Sequence, residues 1–148
     1  MAKDKIIERY NEKDGIASCT LTYRSASGQD IVALGTALCH PQDQDMKSQI
    51  TGEFIARGRA VIAMAQRINA EELKPGLVAL QHLLSTMDHG GYDMNSKEIK
   101  RIKKEIKNFE DDIKYNKSII EEERKLLREY IDGKEEVYQE IRAKEDNK

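Results

Sequence analysis

The run Phe54-Ile55-Ala56-Arg57-Gly58-Arg59-Ala60 sets two guanidinium groups on either side of a glycine. Guanidinium holds phosphate oxygens in forked pairs, and a glycine beside it lets a ligand come close to the backbone. Arg24 at a hairpin tip and Arg67 further along the same helix could complete a basic pocket, above all across a dimer. With Phe54 these four arginines form the candidate ligand-binding set. The same residues fit an ordinary surface equally well, as arginines lying along a packed helix with their heads in water.

Catalytic patterns are missing. His40, His82 and His89 stand at no metal-ligand spacing with one another or with acids, and the chain has no HExxH, CxxC or paired Cys/His set. Gly15, Gly28, Gly35, Gly52 and Gly58 build neither a phosphate loop nor a dinucleotide turn, and no serine sits in a nucleophile elbow. Cys39 is next to His40, but neighbours on a strand point to opposite faces. The expectation is a non-enzymatic protein with no metal and no cofactor. Cys19 and Cys39 read as small apolar strand residues with free thiols.

The elements that would carry these residues follow from periodicity. Lys3 to Tyr10 reads as a short helix with Ile6, Ile7 and Tyr10 on one side, ended by Asn11 to Gly15. Ala17, Cys19, Leu21 and Tyr23 alternate with Ser18, Thr20 and Thr22, which predicts a strand over Ile16–Tyr23. A turn at Ser25-Ala26-Ser27-Gly28 leads to a second strand, Gln29–Leu38. A four-residue loop there would put Leu21 opposite Val32 and Cys19 opposite Leu34.

Cys39-His40-Pro41-Gln42-Asp43 ends that strand, since proline cannot continue a ladder. A helix then starts near Met46 to Ser48 and runs to about Ile68, with Ile50, Phe54, Val61, Ala65 and Ile68 as the stripe laid on the sheet. Gly52 and Gly58 cost helix stability and so point to close approach by a ligand or another backbone, tight helix-on-sheet packing being the simpler account. Lys74-Pro75-Gly76 breaks the chain before a second helix marked by Leu77, Val78, Leu80, Leu83, Leu84 and Met87, which His89-Gly90-Gly91 ends.

Asn95, with Glu98 three residues on, resembles a capping box opening a last helix. There Ile99, Ile106, Ile113, Ile120, Leu127 and Ile141 fall on one position every seven residues, interrupted by Lys134, with Ile102, Phe109, Asn116, Glu123, Tyr130 and Val137 in the companion position. This is a coiled-coil seam with polar layers at Asn116 and Glu123, and Asp132-Gly133 could end or bend the helix. From Ser96 to Ile131 it would be about 54 Å long, so its stripe needs a partner: another copy of the chain, or the segment after Gly133 folded back. Ile99, Ile102, Ile106, Phe109, Ile113, Ile120 and Leu127 are therefore the expected oligomerisation residues of a homo-oligomer. Lys97, Lys100, Arg101, Lys103, Lys104 and Lys107 open this helix; read as spread on both sides of the seam, they give no stripe for nucleic acid, which is not an expected partner.

The fold expected is α+β: a small antiparallel sheet packed by helices over residues 1–94, then a long charged helix or helical hairpin over 95–148. The 148 residues are 35% charged, with a formal net charge of -2, which predicts no global attraction to nucleic acid or membrane. No apolar run reaches the roughly 18 residues of a membrane span, and the amino terminus has no signal-peptide core. A cytoplasmic protein is expected.

The stretch Gly35-Thr36-Ala37-Leu38-Cys39-His40-Pro41-Gln42-Asp43, followed by Gly52-Glu53-Phe54-Ile55-Ala56-Arg57-Gly58-Arg59-Ala60, resembles a small ββα module common in bacteriophage-encoded proteins. The likeness covers about residues 16–65. Among proteins with such a module are phage anti-defence sponges that sequester cyclic ADP-ribose signals of the Thoeris immune system. What the resemblance implies is a non-enzymatic oligomer holding a cyclic nucleotide between protomers, in the host cytoplasm. The competing expectation is an oligomeric coiled-coil adaptor that binds a host protein or nucleic acid.

Overall fold

The computed structural model describes the backbone of residues 6–13, 15–25, 28–38 and 46–146, and within it the side chains of 7–11, 15–25, 28–38 and 52–133. Cys39, His40 and the Pro41 segment lie outside the described residues, as do the side chains of Ile50, Val137 and Ile141. The chain is α+β. Three antiparallel strands, β1 (Ile6–Lys13), β2 (Ile16–Arg24) and β3 (Asp30–Leu38), form one sheet in sequence order. Helix α1 (Met46–Ile68) leads through a π-helical segment (Asn69–Leu73) straight into α2 (Lys74–His89), and α3 (Lys97–Asp146) returns.

β1 corrects the expected amino-terminal helix. A tight turn at Gly15, whose φ of 76° suits glycine, brings Ile6–Lys13 back along β2 with Tyr10 opposite Cys19 and Glu8 opposite Leu21. An edge of β2 with unpaired backbone groups outweighs the weak helical propensity of eight residues.

The hairpin register also differs by one residue. The loop holds five residues rather than four, so Leu21 pairs with Ala33 and Cys19 with Gly35. Because side chains alternate, this shift turns the small residues Ala33, Gly35 and Ala37 inward with Ile31, and leaves Val32, Leu34 and Leu38 exposed on the open face. A sheet face this smooth admits a helix backbone at very short range. A Cβ on Gly35 would collide with the Ala56 carbonyl oxygen and the Ala60 amide nitrogen. Ala17, Cys19, Ala56, Ala60 and Met64 are fully buried there.

Pro75 does not break the helix. It occupies the first turn of α2, where a missing amide donor costs little, and the π segment just before it absorbs the extra residue. The result is a continuous rod antiparallel to α3. Phe54 faces Tyr130, with ring centroids 4.9 Å apart. Further along, Gly58 faces Leu127, Asn69 bonds Asn116 and Gly76 faces Phe109, so every step forward on one rod is matched by a step back on the other.

This hairpin corrects the expected partner of the seam. The heptad residues Ile99, Ile113, Asn116, Ile120 and Leu127 are buried, and Ile102, Ile106 and Phe109 half-buried, within a single chain. Ile113 belongs to the same core as the sheet, so residues 95–133 are not an appendage to a finished module. Gly58 makes room for Leu127 of α3, at 2.9 Å from a notional Cβ, rather than for the sheet. α3 runs on through Gly133 without ending. Its cap is Ser96, whose hydroxyl accepts from the Ile99 amide at 3.4 Å, while the Asn95 amide donates to Asp93.

Candidate functional site

Residues two apart on a helix point about 200° away from each other, and the Arg57-Gly58-Arg59 run is divided accordingly. Arg57 reaches toward the β1 edge, where its Nε donates to Glu8 Oε1 at 2.8 Å. The same carboxylate oxygen accepts the Tyr10 hydroxyl, and the Cys19 thiol donates to it at 3.9 Å. Burial by itself lowers the Arg57 pKa, but the Glu8 charge and bond, joined by Tyr10 and Glu123, bring it above its ordinary value. Burial first, and then Glu8, push the Cys19 thiol up from 9.0 to about 11 and the Tyr10 hydroxyl well above its ordinary 10.0. A neutral buried thiol is a poor nucleophile. This cluster ties β1 to α1.

Arg59 turns the other way, to β3. Its Nη1 donates to the Thr36 carbonyl at 2.7 Å, and two turns further along α1 Arg67 Nη1 donates to the Val32 carbonyl. Both carbonyls belong to the strand that ends the sheet, so the two arginines cover part of an edge that would otherwise invite another strand. Arg67 also pairs with Glu71 at 3.0 Å. Arg24 pairs with Asp30 at 3.5 Å in full view of solvent, and Phe54 packs on Tyr130.

The structure therefore does not gather Arg24, Phe54, Arg57, Arg59 and Arg67 into one pocket. Arg67 lines a cavity of about 500 Å³ between the hairpin tip, the π segment and α3, with Asp30, Glu71, Glu72 and Phe109. Three carboxylates against one paired guanidinium make its potential wrong for a phosphate. Arg59 and Arg67 carry the adaptable part of the sequence reading: they lie along a packed helix with their heads at the periphery.

The polar pair that matters most for the helices is Asn69 with Asn116. Asn116 Nδ2 donates to Asn69 Oδ1 at 2.9 Å, and Asn69 Nδ2 donates to the Ile113 carbonyl at 3.3 Å, all buried. The seam singled out Asn116 as a polar layer. Nothing in the local sequence marks Asn69 or Glu8, whose partners Asn116 and Arg57 stand 47 and 49 positions away, or Tyr10, which joins the cluster through Glu8.

Beyond the sheet, α2 and the start of α3 form a two-helix arm. No residue of α2 is buried, and Val78 and Leu83 are exposed. A shallow apolar groove of about 590 Å³ runs over Ala70, Pro75, Val78, Ala79 and His82. Among the described residues no His, Cys, Asp or Glu cluster could hold a metal ion, and no helix is long and apolar enough to cross a membrane. Comparison with protein-family models, curated proteins and solved structures gives no match for this chain.

Proposed function

We propose that this chain is a non-enzymatic adaptor that self-associates through the outer side of its helical arm. The observation that carries the reading is the unfinished state of α2: sixteen residues with none buried, half-buried Leu77, Leu80, Leu84 and Met87, and exposed Val78 and Leu83. A two-helix layer covers only one side of each helix, and a second arm packed against it would complete a four-helix bundle. Self-association thus moves from the heptad seam, which the chain uses internally, to the face of α2 turned away from α3.

A sponge for a cyclic nucleotide would need several arginines converging on one ligand, and here they pair with Glu8, Thr36, Val32, Glu71 and Asp30 at separate places. Light scattering on the full chain tests the adaptor reading: a dimer or larger species is expected, and Val78→Asp with Leu83→Asp should make it monomeric with helicity kept. A monomeric parent protein overturns it. Stabilisation by cyclic ADP-ribose isomers, about 2.7 kcal/mol at a hundred times the dissociation constant, would restore the sponge.

A further inference from the structure

With the seam committed to α1 and α2, the outward face of α3 is defined, and the basic residues at its start are not scattered around it. Lys97, Lys100, Arg101, Lys104 and Lys107 are linked throughout by steps of three, four and seven, the spacing of a single helix face, and Lys103 flanks them. All six are exposed, and no described carboxylate forms an ion pair with any of them. The two acids of this stretch, Glu98 and Glu105, are themselves seven apart and so share the other flank. Charge is segregated, not alternated.

The contrast with the rest of the chain is large. Six basic and two acidic residues stand between Lys97 and Lys107, which leaves nineteen basic against twenty-five acidic elsewhere. A protein that is acidic over most of its length thus carries one cationic strip, at the far end of an arm that stands clear of the sheet. The strip is about 15 Å long. Six cations in that length match, to within a factor of two, the roughly nine phosphate charges that a duplex presents over the same distance.

We propose that this strip of α3 binds the phosphate backbone of a nucleic-acid duplex without reading its sequence. The strip has the charges for phosphates, contacts that position a duplex without reading it, and the exposed Asn108, four residues after Lys104, adds a single amide to that face, enough to meet one base and not to specify a sequence. The proposal names what the adaptor carries and rests on that reading, but the two surfaces differ: self-association uses α2, phosphate binding the back of α3.

The test is fluorescence polarisation of the full chain with a labelled random-sequence DNA duplex of about 20 base pairs and the RNA duplex of the same sequence. Binding is expected to both, weakening about 150- to 500-fold between about 50 and 200 mM salt, as four to five phosphate contacts require. The triple variant Lys100→Glu, Arg101→Glu, Lys104→Glu should lose at least about a hundredfold. Lys114→Glu, Lys117→Glu, Lys125→Glu, with the same change of net charge on exposed positions of the same helix, should lose far less. The Val78→Asp, Leu83→Asp variant should still bind, so loss of assembly and loss of phosphate binding are read separately. Equal losses in both triple variants, no binding at low salt, or binding only to phosphatidylserine vesicles would each overturn the proposal.

Discussion

The half of the molecule built on the sheet and the half built on the arm achieve burial by opposite means. Against the sheet, small residues let backbones touch, and Ala17, Cys19, Ala56, Ala60 and Met64 retain no exposed surface. In the arm, medium-sized side chains meet along one strip, Ile99 is fully buried, and the facing α2 buries nothing completely. The first arrangement has no slack and the second has surface to spare. Stability should therefore concentrate where β3 meets α1, and binding where the arm stands alone.

Gly35→Ala is the sharpest way to break that comparison. The added methyl meets backbone atoms of Ala56 and Ala60, which cannot swing aside, so we expect a loss of about 3 kcal/mol or more, the upper end for overpacking. A chemical denaturation midpoint near that of the parent would show that the sheet half has slack after all. Gly76, beside the Phe109 ring at 2.9 Å, meets a movable side chain, and Gly76→Ala should cost clearly less.

Where the halves join, Asn116→Ala leaves the Asn69 side-chain carbonyl buried without its donor, an expected loss of about 1–3 kcal/mol. Replacing both Asn69 and Asn116 by leucine should recover most of it, since an apolar pair leaves no group unsatisfied. If the double variant is instead the weaker, the pair contributes more than mutual satisfaction.

Alkaline titration reads two groups of the sheet, Cys19 and Tyr23. Burial first, and then Glu8, hold the Cys19 thiol neutral up to about pH 11, whereas the unfolded chain ionises it near 9.0. Its contribution is thus complete below pH 9 and drains away as pH rises toward 11. Tyr23, pushed up from 10.0 to about 12 by burial and by its bond to Glu72, extends the decline. Tm should fall across this window, and Cys19→Ala should flatten its lower part; a Tm unchanged up to pH 11 would contradict the burial of both groups.

The smallest effect on stability belongs to Arg59→Ala, within about 1 kcal/mol for a peripheral arginine. Its consequence should appear in solubility, because it uncovers the Thr36 carbonyl on β3 beside exposed Leu34 and Leu38. Turbidity on prolonged incubation that matches the parent would remove the edge-covering role.

The alternation in Ile16–Tyr23, the bounds of α1, the end of α2 at His89-Gly90-Gly91 and the seven-residue repeat of α3 were all legible in the amino acids, because each is a period imposed by local backbone geometry. The residues meant for a pocket were recognisable as Phe54 and three arginines on one helix with Arg24 at a hairpin tip, yet not the partner each would meet. Arg57 and Arg59 diverge by helix geometry alone, but that one meets Glu8 on β1 and the other the Thr36 carbonyl on β3 depends on how α1 lies across the sheet, which no residue of α1 encodes.

By itself, then, the sequence determined which side chains share a face and where each helix begins to repeat. Only the tertiary structure decided that Ile6–Lys13 would complete the sheet and that the seam would close on α1 and α2 of its own chain. It also decided that Gly35 would bear on α1 and that the face carrying Lys97, Lys100, Arg101, Lys104 and Lys107 would be left outward. Periodicity is written in neighbours a few residues apart, whereas the choice of partner is settled by contacts such as Asn69 with Asn116, 47 positions away, whose value exists only after both surfaces have formed.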